Sequence, residues 1–183
     1  CAQVLMPYWM YIYYADEFAV KSNWDLMQKW VEHEENRAED YIITQGLGDW
    51  CVPSGDKSDN RIPVEESSTL MFFEICKRMS ELCEKLNLQG REKYDNLMLK
   101  IKESFIRHYW DEKNRSYRYV GTNAVALSLG IYPENERENI LDALVLKIRE
   151  LGFAMVTGIY TNKYLVKLLF ENGYGDLALK ILF

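Results

Sequence analysis

Histidine, proline and long apolar runs are all scarce in this sequence. It has two histidines and four prolines in 183 residues, and no Cys/His cluster has the spacing of metal ligands, so we expect no metal site and no cofactor. The densest apolar stretch, residues 7–14, ends at Asp16 and Glu17. Because a bilayer span needs about 20 apolar residues, this stretch predicts a buried or pocket-facing helix and no membrane contact.

Positive charge and cysteine are also limited. The net charge is −6 and no cluster of Lys and Arg stands out, so nucleic acid is not an expected partner. Of the four cysteines, Cys76 and Cys83 lie seven residues apart on a predicted helix, which separates them by roughly 10 Å along its axis. That separation is too long for a disulfide, and both are predicted to be core residues.

The residues that are abundant are apolar and aromatic. Hydrophobic residues make up 48% of the chain and charged residues 27%, which is typical of one globular domain or part of one. Thirteen tyrosines and five tryptophans give a high content of amphipathic rings. Such rings suit a carbohydrate pocket, and they suit a protein core as well.

The strong periodic signals all have the 3.6-residue repeat of a helix. A helix is predicted over residues 7–18 with Pro7 in its first turn, and Ser22 or Asn23 is predicted to cap a second helix. A third helix is predicted to begin at Ser67 or Ser68. The remaining predictions are a helix ending near residue 110, a short extended piece at 117–119, helices over 122–129, 134–151 and 161–171, and a last helix from 175.

These helices alternate between short and long connections, which indicates antiparallel pairs. No strand with a two-residue repeat appears outside the loops, so the fold class is all-α. Helical pairs can stack into a solenoid or close into a toroid around a central pocket. Because repeat proteins show self-similarity at a fixed period and none is found here, the toroid is favoured.

A long loop over residues 40–66 interrupts the helical pattern. It contains the run Gly46-Leu47-Gly48-Asp49-Trp50, a carboxylate beside an indole. Sugar hydroxyls bind acceptors, and the C–H faces of a sugar pack on rings, so the pair suits a sugar site. The alternative is an ordinary turn in which Asp49 caps the backbone and Trp50 fills the core.

Acidic residues at the start of the third predicted helix are further candidates. Glu65 and Glu66 are predicted to lie at the positive end of the helix dipole, which gives them a structural reason to be there as well. Tyr117, Tyr119 and Tyr160 fall in loops or near predicted helix starts. They are candidates for a pocket lining, with core or rim packing as the alternative.

Several motifs together resemble a known family. They are residues 7–16 (PYWMYIYYAD), 47–50 (LGDW), 124–134 (AVALSLGIYPE), 157–165 (TGIYTNKYL) and 172–178 (NGYGDLA). Their order and separation are similar to those of bacterial α-L-rhamnosidases of glycoside hydrolase family 78. The family often has a histidine shortly before the Thr-Gly pair, where this chain has Phe153-Ala154-Met155.

The resemblance implies an (α/α)6 barrel of which residues 1–183 are one part. It also implies inverting hydrolysis of a rhamnose-containing glycan or glycoside, with the catalytic acid upstream of residue 1 and the base downstream of Phe183, so no catalytic residue is assigned here. Asp49 is expected to accept hydrogen bonds from sugar hydroxyls, and Trp50 or Trp9 to offer an apolar face. Glu65 is a further candidate for substrate binding.

Two alternatives remain open. One is another six-hairpin glycosidase or a polysaccharide lyase, and the other is a non-catalytic helical scaffold in which Asp49 only caps a turn.

The chain begins at Cys1 and stops at Phe183 within an apolar helical pattern, which indicates a piece of a longer polypeptide. The remainder of that polypeptide is then an expected partner, and the piece alone is not expected to be a stable monomer. No cellular compartment is predicted.

Overall fold

α-Helices form nearly all the regular structure of this chain. The computed structural model describes residues 1–53 and 60–183, and the polar segment between them lies outside the described residues. Within those ranges β-structure is limited to two isolated bridges, Glu39 to Ile42 and Asp111 to Ser116. The described residues contain eight helices: α1 (Ala2–Tyr14), α2 (Glu17–Arg37), α3 (Val64–Leu86), α4 (Arg91–Tyr109), α5 (Val120–Leu129), α6 (Arg137–Glu150), α7 (Ile159–Glu171) and α8 (Gly175–Leu182). The all-α prediction is confirmed.

The first two helices begin earlier than predicted. α1 starts at Ala2, so Pro7 lies inside it and not in its first turn. α2 starts at Glu17, and its cap is Asp16, whose carboxylate accepts a hydrogen bond from the Ala19 N–H at 3.1 Å. The turn between the helices is made by Ala15 in the left-handed conformation (φ 55°), which the sequence pattern did not reveal.

Other boundaries also shift by a few residues. α3 begins at Val64, and the Ser67 hydroxyl donates to the Pro63 and Val64 carbonyls from inside the helix instead of capping it. α5 and α7 each begin two residues before the predicted start, and α6 begins three residues after it. The predicted extended piece at 117–119 is not a strand, because the chain there leaves a tight turn closed by the Asp111 to Ser116 bridge.

The described residues divide into two compact units, which are treated separately. Unit 1 comprises residues 1–44 and 69–104, with α1, α2 and most of α3 and α4. Its core is built from fully buried side chains of these helices, among them Val4, Met27, Val31, Ile75 and Met79. Cys76 and Cys83 are buried free thiols, as predicted.

None of the helices in the described residues is both long and apolar enough to cross a bilayer.

Unit 2 comprises residues 45–68 and 105–183 and contains the first turn of α3 and the helices α5 to α8. α5 is its central element, since almost every α5 residue is buried. Small residues allow close packing there: a Cβ on Gly121 would lie 3.1 Å from the Thr161 hydroxyl oxygen of α7. The segment that leads into α5 is held by Asn123. Its side chain accepts a hydrogen bond from the Tyr117 N–H and donates one to the Tyr117 carbonyl.

Candidate functional site

The loop at residues 46–53 is fastened to the start of α7 by the Asp49 carboxylate. Oδ2 accepts a hydrogen bond from the Gly158 N–H at 2.7 Å, and Oδ1 accepts from the Tyr160 N–H at 2.9 Å and the Thr161 N–H at 3.3 Å. The Thr161 hydroxyl also donates to Oδ2. The first N–H groups of a helix lack partners within it and carry partial positive charge. Asp49 therefore caps α7 from more than one hundred residues away in sequence.

Gly158 makes this close approach possible. A Cβ at this position would lie 2.3 Å from the Trp50 carbonyl oxygen and 2.6 Å from Asp49 Oδ1, well inside van der Waals contact. The Ile159 N–H donates to the same Trp50 carbonyl at 2.8 Å. Since any other residue would push the loop away, glycine at 158 is required by space and not by an unusual backbone angle.

The Asp49 geometry differs from the role expected from the sequence. The side chain has no exposed surface and both of its oxygens accept hydrogen bonds from α7. A carboxylate so engaged presents no acceptor to a sugar hydroxyl. The direct sugar contact expected of Asp49 is therefore replaced by a capping contact, because the unpaired N–H groups of α7 compete successfully for the same oxygens.

Trp50 lies on the surface beside this buried carboxylate. Its side chain is 55% exposed, and the indole N–H donates to the Leu47 carbonyl within the same loop. Gly48, which lies between Leu47 and Asp49, has a φ of 74° and provides the turn that this loop makes. Trp50 does not fill the core as in the ordinary-turn alternative, and its exposed ring is available for packing against a ligand.

A second buried carboxylate lies at the start of α3. Glu66 is 5% exposed and accepts a hydrogen bond from the Thr122 hydroxyl of α5 at 2.5 Å. Burial raises the pKa of Glu66 to about 7, while the Thr122 hydrogen bond lowers it, the Glu65 charge raises it and the Arg118 charge lowers it. Its neighbour Glu65 is half-buried. The first turn of α3 thus presents one partly accessible acid and one enclosed acid.

These contacts connect the first turns of three helices in unit 2. Asp49 joins the loop to α7, Gly121 of α5 packs on Thr161 of α7, and Thr122 of α5 binds Glu66 of α3. We call this set, residues 46–50, 64–68, 120–122 and 158–161, the helix-start cluster. Its two buried carboxylates lie at helix N-termini, where the helix dipole stabilises negative charge.

Family comparisons identify the fold to which these elements belong. A family model described as the bacterial alpha-L-rhamnosidase 6 hairpin glycosidase domain matches residues 1–183. The chain belongs to this family. The match covers both units and confirms the resemblance seen in the sequence motifs, as well as the six-hairpin fold class.

Individual proteins of the rhamnosidase family are similar over almost the whole chain. An alpha-L-rhamnosidase of Formosa agariphila is 29% identical over 193 residues, covering 99% of this chain and 20% of that protein. The structure of alpha-L-rhamnosidase from Dictyoglumus thermophilum has a TM-score of 0.86 and 26% identity, covering 97% of this chain and 21% of that one. The chain therefore spans about one fifth of the length of these relatives.

A third relative agrees in fold. The alpha-L-rhamnosidase of Streptomyces avermitilis, whose crystal structure contains L-rhamnose, has a TM-score of 0.86 and 20% identity, covering 98% of this chain and 17% of that one. Both solved structures share the helical fold of this chain over the matched residues.

Trp9 of this rhamnosidase-family chain lies in unit 1, whereas the helix-start cluster belongs to unit 2. Its ring stacks on Tyr13 at 5.4 Å between centroids and meets Tyr8 edge-on at 4.9 Å. The Arg78 guanidinium lies 5.8 Å from the Trp9 ring, and Tyr8 donates to Glu81 at 2.7 Å. The structure brings Asp49, Trp50, Glu65 and Glu66 to the cluster, while Trp9 belongs to an aromatic and charged group between α1 and α3.

The candidate tyrosines have different surroundings. Tyr117 is buried, donates to the Ile131 carbonyl at 2.8 Å and has its pKa raised by burial, so it is a core residue. Tyr119 and Tyr160 are half-buried at the starts of α5 and α7. Sequence reasoning missed Gly158, Thr161 and Thr122 as parts of the site, although Gly158 and Thr161 both lie within the motif at 157–165.

Proposed function

We propose that the protein containing this chain hydrolyses terminal α-L-rhamnosyl linkages, with residues 1–183 forming part of one six-hairpin barrel domain. The observation that carries this proposal is the family match over all 183 residues. The relatives named above are α-L-rhamnosidases, and one of them has been crystallised with L-rhamnose. The substrate is then a rhamnose-containing glycan or glycoside.

The chemistry of an inverting glycosidase requires two carboxyl groups on opposite faces of the sugar, about 6.5 to 9.5 Å apart. One donates a proton to the leaving oxygen and the other activates water. Glu66 has a raised pKa, but it is enclosed and bound to Thr122, so it is not accessible to a glycosidic oxygen. The proposal therefore places the acid and the base in parts of the polypeptide outside this chain.

Within this chain the proposal assigns substrate holding to Trp50, with Glu65 of the same cluster as a further contact. Trp9, in unit 1, stays a candidate in its own right for offering an apolar face to substrate. The exposed Trp50 indole can pack on the C–H face and the 6-methyl group of a deoxysugar. Glu65 is partly accessible in the same helix-start cluster and can accept hydrogen bonds from hydroxyls. Asp49 acts behind Trp50, without touching the sugar.

The alternatives receive less support. The scaffold alternative predicts an Asp49 that only caps the backbone, and Asp49 does cap α7, but the exposed Trp50 beside it leaves a ring for a ligand to pack on. No observation on the described residues favours a different glycosidase or a lyase.

Replacing Trp50 by alanine in the full-length parent tests the proposed sugar contact. The parent is expected to release rhamnose from an aryl rhamnoside and to leave glucosides and uronides intact. Trp50→Ala is expected to raise KM about 10-fold with little change in kcat, since a ring that packs equally on substrate and transition state contributes uniform binding.

The control is Phe170→Ala, which removes a comparably exposed ring from the other end of α7 and should leave KM unchanged. Equal KM values for Trp50→Ala and the unchanged enzyme would remove Trp50 from the site. Absence of rhamnoside hydrolysis by the parent would refute the activity itself.

A further inference from the structure

The 46–53 loop is exposed on both sides of a single buried residue. Leu47 and Trp50 are both strongly exposed, whereas Asp49 between them is completely enclosed. The loop therefore packs few of its own side chains into the core. The loop also approaches Ser68 and Val64 of α3 at Gly46 and Gly48, and residues 49 and 50 add polar contacts.

The polar contacts that join the loop to α7 reach residues 158–161 at the start of that helix. Asp49 accepts from three backbone N–H groups and the Thr161 hydroxyl, and the Trp50 carbonyl accepts from the Ile159 N–H. Hydrogen bonds to a charged, buried acceptor are roughly twice as strong as neutral ones. Together they fix both the Asp49 side chain and the backbone that carries the Trp50 indole.

We propose that Asp49 is a positioning residue that sets the place of the Trp50 ring at the sugar site, with Gly158 supplying the space that the contact needs. The part of this inference that concerns sugar rests on the proposed function. A ring held in place before the ligand arrives loses less conformational entropy on binding than a mobile one. Loss of Asp49 should therefore weaken binding through Trp50 and leave the chemical step unaffected.

The test is a double-mutant cycle in the full-length parent, with KM and kcat measured on an aryl rhamnoside. Asp49→Asn keeps the shape but turns one acceptor into an NH2 donor, which faces the N–H and O–H donors of α7. It is expected to raise KM about 5-fold to 10-fold with kcat within 2-fold. In a Trp50→Ala background the same change should raise KM by less than 2-fold, because Asp49 acts through Trp50.

Asp16→Asn is the matched control, since Asp16 caps α2 through the Ala19 N–H and belongs to unit 1. It removes the same chemical group from a helix N-terminus and should leave KM unchanged. If Asp49→Asn fails to fold, Thr161→Val removes one hydrogen bond to Asp49 at nearly constant volume and should raise KM about 2-fold to 3-fold. Additive KM effects of Asp49→Asn and Trp50→Ala would overturn the proposal.

A second measurement separates this inference from the proposed activity. Hydrogen exchange of the parent reports the contact directly, since the Gly158 and Ile159 N–H groups are bonded to the loop. Asp49→Asn should speed exchange in peptides covering residues 156–161 by about 10-fold or more, and Asp16→Asn should not. Unchanged exchange refutes the positioning role even in an active enzyme, while faster exchange supports the contact whatever the enzyme hydrolyses.

Discussion

At the scale of single residues, the two carboxylates of the helix-start cluster show how a helix N-terminus competes with a ligand for an acid. Asp49 is fully engaged by α7, and Glu66 is enclosed by the contact to Thr122 of α5. Sequence alone ranks such residues as candidate site acids, because carboxylates in a loop or at a helix start look alike. Burial distinguishes an enclosed structural carboxylate from an accessible one, and burial depends on which helix packs over the residue.

The raised pKa of Glu66 predicts that the stability of the fold depends on pH. Its folded pKa of about 7 lies above the ordinary value of 4.5, so the folded state binds more protons between these values than the unfolded state. The contribution of Glu66 to stability is then greatest below pH 4.5 and falls by about 3 kcal/mol as the pH rises through 7. Glu66→Gln, which keeps an acceptor for Thr122, should remove that fall.

The measurement is urea unfolding of the parent and the variant at pH 5, 6, 7 and 8. The difference in unfolding free energy between them should grow with pH in favour of Glu66→Gln. Glu134→Gln, at an exposed position of unit 2, should give a constant difference. Parallel curves for Glu66→Gln and the unchanged protein would show that Glu66 is not enclosed in solution.

At the scale of helices, several of the side-chain hydrogen bonds that define the fold lie at helix starts. α2 depends on Asp16, α5 follows a turn closed by Asn123, and α7 is capped by a residue from a remote loop. A local cap such as Asp16 can be recognised from sequence in principle, although the sequence pattern favours Ser22 or Asn23. The cap of α7 cannot, because its partner is 109 residues away.

Gly158→Ala tests the start of α7 as an element. The added methyl group would overlap the Trp50 carbonyl and Asp49, so either the loop or the helix end must move. We expect a loss of about 3 kcal/mol in unfolding free energy, from overpacking and from the hydrogen bonds that it breaks. Thermal and urea unfolding of the parent measure this loss.

Gly173→Ala at the other end of α7 is the control. Gly173 has a φ of 81° and open space around its Cβ position, so alanine there meets only backbone strain of about 1–2 kcal/mol. The loss at Gly158 should exceed the loss at Gly173. The reverse order would mean that the loop does not approach α7 as closely as described.

At the scale of the whole molecule, both units expose large apolar side chains among the described residues. In unit 1 they include Met6, Tyr13 and Phe18, and in unit 2 Leu179 and Phe183. In unit 1 an open groove of about 310 Å³ between α1 and α2 is lined by Met6, Met10 and Leu26 among others. Apolar surface of this kind is normally covered by protein or drives association.

Residues 1–183 expressed alone are therefore expected to self-associate or to unfold without a cooperative transition. Size-exclusion chromatography with light scattering, together with a thermal melt, checks this. Met6→Lys with Met10→Lys should shift the isolated chain toward the monomer, while Lys21→Ala, on the exposed polar surface of α2, should have no such effect. A soluble monomer that melts cooperatively would contradict the prediction and the proposal that the chain is part of a larger barrel.

The all-α class and the rhamnosidase family could both be predicted from the sequence, because helical periodicity and the order of short motifs are properties of the chain and need no three-dimensional context. The buried Cys76 and Cys83 followed from the same periodicity. The contact of Asp49 with α7, the exposure of Trp50 and the enclosure of Glu66 but not Glu65 emerge only when the helices are packed together. These outcomes depend on which N–H or hydroxyl group, remote in sequence, reaches each carboxylate. The residues next to a carboxylate in sequence do not specify that contact.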